Sequence, residues 1–231
     1  YSRGPHFYIY VIMYFGAILY LSASTVITAR EFQNRSRLLI YPLILFVMAE
    51  TIIQVALPEL HVTWLCVTLL SVLYFIYCSE MWNQLDALTG LLNQNSYLKQ
   101  TGGVRYKGGV LVVFDVDDFK QINDRYGHIQ GDLCLAGIAE CIKKSYANFG
   151  YCYRIGGDEF CVLLKYGGNE GRCKQEFLQR LQEKRGEIAF LPTVSYGSAP
   201  FSGEDIVKVK DRADQDMYQY KKERKNRKRL S

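Results

Sequence analysis

Apolar residues crowd the first third of the chain and then give way to a periodic pattern. Phe7 to Thr28 is a run of 22 residues without a charge, and Leu38 to Leu57 is a run of 20 with one, Glu50. Val62 to Cys78 adds 17 uncharged residues. At about 1.5 Å per residue the first two suffice to cross a hydrocarbon layer of roughly 30 Å as helices, and the third is at the short end. Trp64 and Trp82 stand where interface anchors belong. The pattern therefore predicts an all-α region of three transmembrane helices over residues 1–78. Residues 79–85 contain neither Gly nor Pro, which predicts a rigid helical stalk.

Beyond the stalk, strand-like and helix-like stretches alternate. The periodicity predicts a helix from about Asn93, a strand over Gly109–Val116, and a helix from about Phe119 with a break at Gly127. A helix over Asp132–Ala147, a strand pair within Tyr151–Leu164 and a helix over Lys174–Lys184 follow. A strand over Thr193–Ala199 and a helix over Gly203–Lys222 complete the order. This is the order of an α/β domain, with helices packed on one sheet.

The loops set an orientation. Arg30, Arg35 and Arg37 lie between the first two spans, whereas Pro58 to His61 joins the next two without Lys or Arg. The positive-inside rule puts the first loop in the cytoplasm, so the chain is expected to be multi-pass in the inner or cell membrane with everything after Cys78 cytoplasmic. Glu50 is an acid within a span, and it either serves ligand or proton sensing or sits protonated against a neighbouring helix. The first span is too long and too aromatic for a signal peptide. Tyr1, rather than Met, begins the chain and leaves room for residues upstream.

Composition changes this picture little. The mean hydropathy of −0.07 averages two unlike parts, and 49% hydrophobic residues exclude a disordered chain. The net charge of +5 is local, because Lys221 to Arg229 holds seven bases against one acid. A short basic tail is no folded basic face, so a nucleic-acid polymer is not expected as a partner. The seven cysteines show no metal-ligand spacing and are expected to be reduced, buried thiols.

Two features carry chemistry. The buried-looking strand Val110–Phe114 delivers Asp115 and Asp117 to its carboxyl end, with Asp118 next. Carboxylates beside a helix amino terminus suit metal-bound phosphate. The second feature is Arg154-Ile155-Gly156-Gly157-Asp158-Glu159-Phe160, where two glycines predict a tight hairpin with two acids on its rim. Side by side, the two acid-bearing strands would suit Mg²⁺.

The Gly-Gly-Asp-Glu-Phe run resembles the signature of GGDEF-domain diguanylate cyclases. The resemblance extends in order over residues 86–226: Asp86 to Asn93, Phe114 to Asp124, Gly127-His128, Gly131-Asp132, Val194 to Gly197, Ala213-Asp214, Met217-Tyr218 and Lys221. It implies a GGDEF domain over 86–231, with the central sheet and flanking helices of polymerase palms and nucleotide cyclases. It further implies a nucleotidyltransferase that condenses two GTP into cyclic di-GMP and pyrophosphate under control of the membrane region. The alternative is a catalytically silent module that binds GTP or a partner.

By the same resemblance, Asp115, the Val116 carbonyl, Asp158 and Glu159 would hold Mg²⁺ or Mn²⁺, two ions per half-site. Asp158 and Glu159 would be the catalytic acids, with the base unassigned between them. Phe119 and Lys120 amides would cradle phosphate, Asn123 and Asp132 would bind guanine, and Lys221 and Lys225 would hold the terminal phosphates. His128 is read as structural. Two GTP-loaded copies would meet in a homodimer formed through the transmembrane and stalk helices. The sequence departs from the family at Gln94, Ile155, Arg224 and Lys225, and the stretch between Phe160 and Ser195 is short. No Arg-x-x-Asp precedes the hairpin, so strong product feedback at that surface is not expected.

Overall fold

The computed structural model describes residues 63–102, 108–165 and 169–230, together with isolated positions between 9 and 53. The chain divides into two compact units, residues 1–83 and 84–231. Apart from those isolated positions, the expected spans 7–28 and 38–57 and the acid Glu50 lie outside the described residues. In the first unit, helix α1 covers Thr63–Trp82. It leaves Val72, Phe75 and Ile76 at least half exposed. Among the described residues, no helix is long and apolar enough to cross a membrane.

The helical stalk expected over residues 79–85 holds only to Trp82. Asn83 closes the last turn on the Ser79 carbonyl, and Leu85 is extended, bridged to Leu92. Backbone pairing wins here because Leu91 and Leu92 have a core to enter.

The second unit is built on a four-stranded antiparallel sheet in the order β2-β3-β1-β4. Its strands are β1 (Gly109–Val116), β2 (Gly150–Arg154), β3 (Glu159–Lys165) and β4 (Val194–Phe201). Five helices surround it: α2 (Gln94–Thr101), α3 (Phe119–Tyr126), α4 (His128–Tyr146), α5 (Glu170–Glu187) and α6 (Ile206–Leu230). The α/β class and the flanking helices are as the sequence pattern implies.

Strand β1 is apolar on both faces because both are covered. Val110, Val112, Phe114 and Val116 pack with Leu135, Ile138, Ile142, Phe177 and Leu181 from α4 and α5. Leu111 and Val113 pack with Tyr97, Val209 and Ala213 from α2 and α6. The alternation of a strand then decides where its acids go. Asp115 and Asp117 share parity with Leu111 and Val113, so they face α6.

That helix lies against β4 at Gly197, where a Cβ would fall 2.2 Å from the Ala213 carbonyl oxygen and the Met217 amide nitrogen. Side chains larger than hydrogen would lever α6 off the sheet. The helix runs to Leu230, well past the expected Lys222, and starts at Ile206 after Gly203 takes φ +72°.

Other boundaries moved for identifiable reasons. Helix α4 starts at His128 rather than Asp132, because the break is confined to Gly127 at φ 85° and the chain re-enters a helix at once. Helix α5 is longer at both ends than expected. Strand β4 continues through Pro200, tolerable because it is an edge strand. The six cysteines whose side chains are described are free, five buried and Cys78 partly so. Burial pushes the Cys134 thiol up to about 11 and Cys152 up to about 12, which keeps both protonated and inert.

Candidate active site

The antiparallel register places Asp115 of β1 directly opposite Glu159 of β3. By parity with Cys161 and Leu163, Glu159 also faces the α6 side. Asp158 sits one residue before β3, and its backbone carbonyl accepts from the Val116 amide at 3.2 Å. The sheet thus brings Asp115, Val116, Asp158 and Glu159 together at one end. Glu159 is exposed and Asp158 half-buried, whereas Val116 is buried.

Beyond the sheet end, Asp118 takes φ 55°, the one positive φ among described residues other than glycine. This tight turn starts α3, so Phe119 and Lys120 occupy its first turn, where backbone amides lack helical acceptors. The Asn123 side-chain oxygen is buried without a hydrogen-bond partner. It can lie there because residue 131 is glycine: a Cβ on Gly131 would fall 1.9 Å from that oxygen. Asp132 is exposed on the next turn of α4.

The hairpin between β2 and β3 differs from the tight glycine turn read from the sequence. Neither Gly156 nor Gly157 takes a positive φ. Gly156 instead leaves room for Glu159, whose Cβ and Oε2 would meet an added Cβ at 3.2 and 3.3 Å. Arg154 holds the turn from below. It donates from Nη2 and Nε to the Gly157 carbonyl at 2.7 and 3.2 Å, and from Nη1 to Asp86 Oδ1 at 3.0 Å.

Asp86 also accepts from the Thr89 amide at 2.9 Å and the Thr89 hydroxyl at 2.6 Å. Burial alone would raise its pKa, but these hydrogen bonds and the Arg154 charge hold it below the usual carboxylate range. The segment after α1 is therefore tied to the acidic hairpin. In the sequence Asp86 stands out only as part of the stretch Asp86 to Asn93, and its partner 68 positions away carries no local signal.

Asp117 is a second residue whose part was not legible. Its carboxylate accepts from the Thr193 and Ser195 hydroxyls, each at 2.7 Å, and from Arg224 Nη1 at 3.0 Å. Lys221 Nζ stands 3.5 Å from it and also donates to Asp115. Burial would lower the Lys221 pKa, but the bond to Asp115 and the charges of both acids raise it. The ammonium accordingly stays charged. Lys225 lies on α6 and its side chain is outside the described residues.

Among the described residues, no three His, Cys, Asp or Glu side chains converge closely enough to hold a metal ion by themselves. Asp115 and Glu159 nevertheless supply hard oxygens on adjacent strands. Mg²⁺ commonly uses one or two carboxylates with water and substrate phosphate. The donor set fits an ion of that kind.

The fold and this acidic sheet end define the class, and the comparisons with known proteins agree. Residues 83–227 match the family described as "Diguanylate cyclase, GGDEF domain". This chain belongs to the GGDEF family. It is 35% identical over 159 residues to diguanylate cyclase DgcP of Pseudomonas aeruginosa, covering 62% of this chain and 23% of that protein. It is 33% identical over 156 residues to DgcS of Shewanella oneidensis, covering 63% and 52%. The chain thus matches about a quarter to a half of the length of these relatives.

In fold, the chain resembles diguanylate cyclase SiaD of Pseudomonas aeruginosa, solved with its activator SiaC. The TM-score is 0.55 at 22% identity, over 93% of this chain and 83% of that one. The coiled coil and GGDEF domain of DgcB from Caulobacter crescentus, solved with c-di-GMP, is similar at TM-score 0.53 and 24% identity. That match covers 69% of this chain and 93% of the other.

The Asp86 bonds give a prediction with a defined sign. Because the folded pKa of Asp86 is depressed, its contribution is present above the unfolded value of about 3.9 and is lost as pH falls through the folded value. At pH 7, Asp86→Asn is expected to destabilise the domain by about 1–3 kcal/mol, the cost of breaking a part-buried charged pair. Urea unfolding at pH 7 and in acid checks this: the gap between wild type and variant should shrink in acid. A gap unchanged between the two pH values would contradict the assignment.

Proposed function

We propose that the chain is a diguanylate cyclase, condensing two GTP into cyclic di-GMP with release of two pyrophosphates. The observation that carries this reading is the facing pair Asp115 and Glu159 at a sheet end that also receives Lys221. Membership of a family whose curated relatives are cyclases supports it.

The reaction needs a 3′-hydroxyl freed of its proton and an α-phosphate whose charge is neutralised. A hydroxyl is a poor nucleophile until a base or metal takes that proton. When bound by Asp115, the Val116 carbonyl, Asp158 and Glu159, Mg²⁺ or Mn²⁺, two per half-site, would lower the hydroxyl pKa and draw charge from the phosphates. Glu159, exposed at the rim, or the neighbouring Asp158 would accept the proton. The first-turn amides of Phe119 and Lys120 would hold phosphate, and Lys221 with Lys225 would carry the charge of the departing pyrophosphate.

Asn123 and Asp132 would read guanine. The buried, unpartnered side-chain oxygen of Asn123 and the exposed Asp132 carboxylate would offer polar partners to an edge that adenine lacks. A site built to hydrogen-bond one base rejects another by leaving its own groups unpaired.

Because one site holds one GTP and the product contains two, the working form would be a homodimer. The apolar stretches over residues 7–28 and 38–57, with the Arg-bearing loop between them, support anchoring in the inner or cell membrane, and a cytoplasmic GGDEF domain would need a third crossing at 62–78. Dimer contacts would then run through those helices and α1.

Incubating the purified chain with Mg²⁺ and GTP tests this reading. Cyclic di-GMP is the expected product, ATP should not replace GTP, and turnover per chain should fall on dilution. Glu159→Gln should lower the rate at least ~100-fold. Near-normal turnover of that variant, or a rate per chain constant on dilution, would contradict the respective assignment. Recovery of the intact chain in the supernatant of a membrane pellet would contradict the anchoring.

A further inference from the structure

Helix α6 changes character along one face. Val209 and Ala213 are buried against the sheet, and Met217 packs behind them. The next positions on that stripe are Lys221 and Arg224, and they arrive where β1 ends in Asp115 and Asp117. An apolar contact thus becomes an ionic one as the helix passes the end of the sheet.

Arg224 is the better held of the two. Its Nη1 donates to Asp117 Oδ2 at 3.0 Å and to the Val194 carbonyl at 3.3 Å. Its guanidinium stands 6.0 Å from the ring centroid of Tyr220, which itself packs on Tyr196 at 4.5 Å. Lys174 of α5 covers the Tyr196 ring at 4.3 Å. Asp117, in turn, is fixed by two hydroxyls from the β4 side, so it offers Arg224 a rigid acceptor. The Asp117 and Arg224 side chains are 11% and 26% exposed, which limits screening of the pair.

Building on the GTP-binding reading above, we propose that Arg224 is a positioning residue. Through Asp117 it clips the last turns of α6 to the sheet end and so fixes the Lys221 ammonium in the nucleotide phosphate site. Lys221 lies three residues, just under one turn, before Arg224, so the clip sets the height and rotation of that turn. A flexible lysine alone carries a mobile point charge, whereas a planar guanidinium on two acceptors defines a geometry.

The experiment measures initial rates of pyrophosphate release with Mg-GTP for wild type, R224A, R224K, D117N and the double variant R224A/D117N. Circular dichroism melts run alongside to report folding. R224A and D117N should each raise KM for GTP about 10-fold while changing kcat by less than about 3-fold, as expected when ground-state phosphate binding is loosened. The double variant should cost no more than D117N alone, because R224A breaks the same clip while D117N also removes the 3.5 Å pair with Lys221. R224K, which keeps the charge on a flexible stem but lacks the planar guanidinium, should fall between wild type and R224A, and it carries the test if R224A does not fold.

A KM within about 2-fold of wild type in R224A, or in R224K if R224A does not fold, would overturn the proposal even if the melting temperature drops, as would effects of R224A and D117N that multiply in the double variant. Wild-type protein that neither binds nor turns over GTP would instead overturn the cyclase reading, and the proposal with it.

Discussion

The site rests on one constraint, the antiparallel register of β1 with β3. Side chains alternate along a strand, so a slip of one residue would send Asp115 to the opposite face of the sheet and leave Glu159 facing Val116 or Phe114. What prevents the slip is apolar. Phe114 pairs with Phe160 and Val112 with Val162 on the face covered by α4 and α5, while Leu111 and Leu163 serve the face covered by α2 and α6. Both faces are buried, so neither tolerates inverted parity. The two core clusters on either side of one strand hold two carboxylates in register at its end.

The carboxylates and their cations are then set by elements far apart in sequence. Arg154 reaches from the end of β2 to the hairpin carbonyl and to Asp86, joining the first residues of the domain to the acidic turn. Asp117 gathers two hydroxyls and an arginine, and β4 and α6 meet on it. The site is thereby braced from both sides, by the segment leading in from α1 and by the last helix.

The sequence made β1 legible because a strand covered on both faces reads as an unbroken apolar run, and the hairpin acids because they sit within a seven-residue motif. Asn93 was legible as a helix start, and its side chain caps α2 on the Ser96 amide at 2.9 Å. The length of α6 was not, since a basic tail carries no apolar stripe to mark where a helix ends. Nor were the parts played by Asp117 and Arg154, whose partners lie 76 to 107 and 68 residues away. Periodicity reports the face a residue occupies; it cannot report which distant side chain arrives there.

The central claim is that strand register makes Asp115 and Glu159 one donor set. Electron paramagnetic resonance titration of Mn²⁺ into the chain, with and without GTP, tests it most directly. The account predicts that GTP tightens Mn²⁺ binding and that Asp115→Asn and Glu159→Gln each weaken it by at least about 10-fold, as loss of a ligand does. Equal Mn²⁺ affinity in the wild type and both variants, with GTP present, would contradict it.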